Sequence, residues 1–99
     1  MWQKSLKVSD IPEGQGKVAV LNGKEIALFK REGKVYALAN ICPHRGGPLG
    51  EGSLDGDEVV CPWHAWGFDV KTGQCTALPD VKQPTFEVKV DGEDILVNV

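Results

Sequence analysis

Two short runs, Cys42-Pro43-His44 and Cys61-Pro62-Trp63-His64, stand with sixteen residues between His44 and Cys61. Each offers one thiol and one imidazole close together in the chain. Both lie in residues 40–80, a stretch dense in Gly, Pro, Cys, His and Trp. A bare loop of that length does not belong in a compact domain, so something must organise it. A metal centre gripped by both runs would do so. Thiolate and imidazole in equal number suit a binuclear iron–sulfur cluster with unlike irons, two cysteines on one and two histidines on the other. Each run then bridges both irons, so its two ligands must be near in sequence but separated by at least one residue. Pro43 and Pro62 fix φ and reduce the entropy lost on ordering these runs. Gly46, Gly47, Gly50 and Gly52 after the first run, and Gly67 after the second, allow backbone to come close to sulfur. Backbone N–H groups aimed at sulfur would stabilise the reduced cluster. The other use of the same four residues is a mononuclear Cys2His2 zinc site; zinc motifs, however, usually pair Cys with Cys and His with His at short range.

The flanks read as sheet. Lys17–Leu21 and Glu25–Lys30 enclose Asn22-Gly23, a hairpin signal because both turn positions need positive φ. Lys34–Ala39 follows across Arg31-Glu32-Gly33, which predicts a three-strand meander. Thr85–Val90 alternates polar and apolar residues and should pair with Asp94–Val99 across Asp91-Gly92-Glu93. Glu58–Cys61 and Gly67–Val70 are expected as short strands, with a turn at Lys71-Thr72-Gly73. Ser9-Asp10-Ile11-Pro12-Glu13 suggests one short turn capped by Ser9 or Asp10. At 99 residues the chain suits one domain, residues 1–99, with a cluster-binding part at about 40–80 inserted between the sheet-forming ends.

The spacing Cys-x-His-x16-Cys-x-x-His resembles that of the Rieske [2Fe–2S] family, and the likeness extends past the ligands. Cys42-Pro43-His44-Arg45-Gly46-Gly47-Pro48-Leu49, and Cys61 to Asp69 followed by Thr72-Gly73, are similar to the two cluster loops of Rieske ferredoxins. The resemblance implies an all-β fold of stacked antiparallel sheets with one [2Fe–2S] cluster at one tip. It implies Cys42 and Cys61 on the buried iron and His44 and His64 on the outer iron. Leu78-Pro79-Asp80 stands where the family has a proline loop over the cluster. High-potential members carry a further cysteine in each loop, forming a disulfide; Gly47 and Trp63 hold those positions here. They also place a hydroxyl after the second loop, where this chain has Ala65-Trp66. Fewer donors to sulfur imply a potential toward the lower part of the roughly −150 to +300 mV Rieske range.

The resemblance implies a one-electron carrier: a ferredoxin working between a flavin-dependent reductase and a terminal oxygenase. The Rieske-type small subunit of an NAD(P)H nitrite reductase, bound to its large subunit, is the alternative. No nucleophile, base and oxyanion set remains outside the ligands, so the chain is not expected to be an enzyme alone. The net charge of −3 argues against nucleic-acid partners. No apolar run is long enough for a bilayer, and Met1–Lys7 lacks a secretory core or twin arginine. A cytoplasmic protein without structural disulfides follows. Residues 50–99 carry ten acidic against three basic side chains, residues 1–49 four against eight; gathered on one face, the surplus would make an acidic docking patch. The third cysteine, Cys75, lacks a charged activator and should be buried and inert.

Overall fold

Asn22 and Gly23 both take positive φ, 51° and 74°, and turn the chain between β2 (Gly16–Leu21) and β3 (Lys24–Arg31). Glu32 and Gly33 repeat the device at 52° and 76°, leading into β4 (Lys34–Ala39). Arg31, expected in this turn, is the last residue of β3. A glutamate in left-handed backbone is costly. Here the Glu13 carboxylate accepts the Glu32 N–H at 2.6 Å and the Gly33 N–H at 3.2 Å. The meander predicted from turn chemistry is therefore present.

The computed structural model describes residues 1–41, 48–61, 66–76 and 80–99. Its other strands are β1 (Trp2–Lys7), β5 (Leu54–Asp55), β6 (Glu58–Val60), β7 (Gly67–Asp69), β8 (Thr85–Phe86), β9 (Val88–Asp91) and β10 (Asp94–Asn98). They form three antiparallel sheets, ordered β1-β10-β9, β2-β3-β4-β8 and β5-β6-β7. No α-helix occurs among the described residues.

The middle sheet is buried on both faces along β3. Its run Ile26-Ala27-Leu28-Phe29 is wholly inaccessible to water. Side chains alternate across a strand, so Ile26 and Leu28 join Ile95 and Val97 in one core against the β1-β10-β9 sheet. Ala27 and Phe29 join Val59, Phe68 and Leu49 in a second core, toward β5-β6-β7. Each large apolar side chain buried this way contributes about 1.5–3 kcal/mol.

Two expectations need correction. Thr85–Val90 is not one strand. Thr85–Phe86 pairs with β4, whereas Val88–Asp91 pairs with β10. The alternation survives the change of sheet because Phe86 and Val88 both pack on the same core. The short turn after β1 is a 3-10 turn over Val8–Asp10, and Asp10 bonds the Lys7 N–H at 3.0 Å from inside it, not as its cap. The first strand, β1, had no clear local signal.

Candidate metal centre

Of the four expected ligands, Cys61 is described; Cys42, His44 and His64 lie outside the described residues, as do Arg45, Gly46, Gly47, Trp63, Ala65, Leu78 and Pro79. What the structure shows is how the chain is held on either side of them. Ile41 pairs with Pro48 in an antiparallel bridge around residues 42–47. The Cys61 N–H donates to the Trp66 carbonyl at 2.8 Å around residues 62–65. The Cys75 N–H donates to the Val81 carbonyl at 3.0 Å, and Gln74 bridges to Lys82, around residues 77–79. Each segment therefore leaves and re-enters the fold through a closed stem.

The stems are tied to one another. The Thr76 N–H donates to the Gly67 carbonyl at 2.9 Å, joining the third to the second. The Thr76 hydroxyl donates to the Glu58 carboxylate, which lies directly over Gly67. The Gln83 side chain joins the third to the first, donating to the Ala39 and Ile41 carbonyls. Asn40, also buried, takes the Leu49 N–H on its carbonyl at 2.8 Å and the Gly50 N–H on its Oδ1 at 2.7 Å. Its amide nitrogen donates to Glu25 at 3.2 Å. Sequence reasoning missed Asn40 and Gln83. Three of the glycines also admit close neighbours: a Cβ at Gly50 would strike Val18, one at Gly52 the Val60 carbonyl, and one at Gly67 the Glu58 carboxylate.

Cys61 is 1% exposed and belongs to the core that contains Leu49, Val59 and Phe68. Trp66, half-buried, packs against that core. A thiol in an apolar wall, at the foot of stems tied to one another, would fit the inner side of a thiolate–imidazole cluster. Cys75 is buried in the same core, as expected of a structural thiol. Asp69 accepts the Lys71 and Thr72 N–H groups at 2.8 and 3.3 Å, so it shapes the turn after β7. Among the described residues no three Cys, His, Asp or Glu gather into another metal site.

The acidic surplus of residues 50–99 is spread over the fold. Asp57 is paired with Arg31 at 2.5 Å and Lys71 at 3.3 Å, and Asp94 with Lys4 at 3.4 Å. Asp91 and Asp94 stand at the β9–β10 turn, while Glu58 and Asp80 stand at the loop stems. Among the described residues no helix is long and apolar enough to cross a membrane.

The family model of the Rieske [2Fe–2S] domain matches residues 1–97. The ferredoxin component of naphthalene 1,2-dioxygenase/salicylate 5-hydroxylase systems of Ralstonia sp. is 37% identical over 99 residues, covering 99% of this chain and 95% of that one. The ferredoxin of carbazole 1,9a-dioxygenase from Nocardioides aromaticivorans IC177 superposes with a TM-score of 0.89 at 32% identity, covering 98% and 96% of the two chains. A Mycobacterium tuberculosis protein assigned as an NADH-dependent nitrite reductase small subunit gives 0.91 at 25% identity, covering 98% and 93%.

Proposed function

Since this chain belongs to the Rieske [2Fe–2S] domain family, we propose that it is a one-electron carrier, the ferredoxin component that passes electrons from a flavin-dependent reductase to a terminal oxygenase. The observation that carries this reading is the near end-to-end match to a dioxygenase ferredoxin component. The cofactor is one Rieske-type [2Fe–2S] cluster, which supplies a centre that takes up and releases one electron when bound.

The residues we assign to hold it are Cys42 and Cys61 on the inner iron and His44 and His64 on the outer. The burial of Cys61 supports the inner assignment. The tied stems support a second role, that of keeping the ligands in place while charge comes and goes. The ring nitrogens of His44 and His64 that do not bind iron are free to hold a proton. Residues 1–99 act as one domain in this reading, with the cluster-binding part at 40–80, and the chain works in the cytoplasm. A mononuclear zinc site finds no support in the family match. The alternative function, a small subunit beside a nitrite reductase large subunit, is favoured by the M. tuberculosis likeness.

Electron transfer separates the two. The reduced protein should pass electrons to a ring-hydroxylating oxygenase and leave a sirohaem nitrite reductase subunit unreduced; the reverse result would select the alternative. Replacing Cys42, His44, Cys61 or His64 singly should abolish the reduced-state EPR signal. A colourless, EPR-silent protein holding one zinc would overturn both.

A further inference from the structure

The ladder between β4 and β8 pairs Ala37 with Phe86 and Leu38 with Thr85. It runs one step further, the Ala39 N–H donating to the Pro84 carbonyl at 2.9 Å. In an antiparallel ladder such a pair exchanges two bonds. The return bond, from residue 84 to the Ala39 carbonyl, cannot form because proline has no N–H. Gln83 supplies the missing donor. Its Nε2 donates to the Ala39 carbonyl at 2.5 Å and to the Ile41 carbonyl at 2.7 Å. The side chain is 1% exposed, and its backbone N–H is committed elsewhere, to the Gly73 carbonyl at 2.7 Å. The carboxamide nitrogen carries two protons, so this one side chain serves both carbonyls.

The two bonds differ in what they hold. Ala39 belongs to β4, and a backbone donor at residue 84 could serve its carbonyl equally well. Ile41 lies beyond β4, and the next residue is Cys42. We infer that Gln83 is a positioning residue for the first cluster loop, holding the Ile41 carbonyl and so the direction in which the chain enters Cys42. The inference rests on the reading of Cys42 as a ligand.

Gln83→Met keeps the length of the side chain and removes both donors. In the iron-loaded protein it should shift the EPR g values of the reduced cluster and its reduction potential. Cluster loss to a chelator should become roughly tenfold faster, the effect of one buried hydrogen bond. Adding Pro84→Ala returns an N–H to residue 84 and a donor to Ala39, but none to Ile41. The double variant should therefore regain part of the melting temperature lost in Gln83→Met, while its g values and rate of cluster loss stay as altered as in the single variant. Recovery of all of these together would show that Gln83 acts only through the ladder, and would overturn the inference. So would a Gln83→Met protein with unchanged signal and loss rate. If that single variant fails to fold, the double variant decides; failure of both would make Gln83 a support of the whole fold and reject the positioning role. Absence of a Rieske signal in the unmutated protein would instead overturn the functional reading beneath it.

Discussion

The side-chain oxygen of Asn40 accepts the Gly50 N–H at 2.7 Å, so one buried residue ties together the chain that enters residues 42–47 and the chain that leaves them. Replacing Asn40 by Leu strands the Gly50 N–H away from water. We expect a loss of about 1–3 kcal/mol, seen as a melting temperature lowered by about 4–8 °C for each kcal/mol. Circular dichroism melts of both proteins, each iron-loaded, test this; an unchanged midpoint would refute it.

Gly73 and Gly23 have nearly the same backbone, φ 80° and 74°, but different surroundings. A Cβ on Gly23 would meet open space, whereas one on Gly73 would run into the Gln83 carbonyl. Gly23→Ala should therefore cost only the left-handed penalty of about 1–2 kcal/mol. Gly73→Ala should add an overpacking cost of about 1–3 kcal/mol. Equal melting temperatures for the two variants would contradict this.

Acid should weaken the fold through Glu13 and Asp57. The Glu32 and Gly33 N–H groups hold the Glu13 carboxyl below its ordinary range. The hydrogen bond from Arg31, followed by that from Lys71, does the same for Asp57. A carboxyl whose folded value is depressed stabilises fully above its unfolded value and loses that contribution as pH falls through the folded one. The loss should begin near pH 4 and continue below it. Glu13→Gln and Asp57→Asn should each flatten the dependence of stability on pH in that window and leave its slope at neutral pH unchanged. Denaturant midpoints measured across the window test it.

The reduction potential should lie toward the lower part of the roughly −150 to +300 mV Rieske range. It should fall further as pH rises into the alkaline region, where the outer ring nitrogens of His44 and His64 lose their protons in the oxidised state. Protein-film voltammetry over that range is the measurement. A potential near the upper limit would refute the low-potential reading, and one independent of pH would count against His44 and His64 as ligands.

The meander was legible because its information is local: Asn22-Gly23 and Glu32-Gly33 specify their own turns. The β5-β6-β7 layer was legible in part, from Glu58–Val60 and Gly67–Asp69. The strand expected over Thr85–Val90 was misjudged because alternation reports which side faces a core and says nothing about which sheet edge is vacant. The β1 strand depends on pairing with β10 at the other end of the chain, a partner that no window of sequence contains. The ligand spacing was readable as a family signature. Its supports, Asn40 and Gln83, were not, since an isolated Asn or Gln looks like an ordinary surface residue until its burial is known. The one available clue was Gln83-Pro84: proline in a strand leaves a carbonyl wanting a donor, and glutamine beside it can provide one.

That dipeptide has a consequence for how such chains diverge. Where residue 84 keeps an N–H, the Ala39 carbonyl has a donor from the ladder and position 83 loses half its duty; where residue 84 is proline, an apolar residue at 83 leaves two carbonyls unserved. The two positions are thus expected to drift as a pair, with proline at the second accompanied by a long amide at the first. Related sequences that combine this proline with an aliphatic neighbour, yet keep the same β4–β8 register, would break the rule.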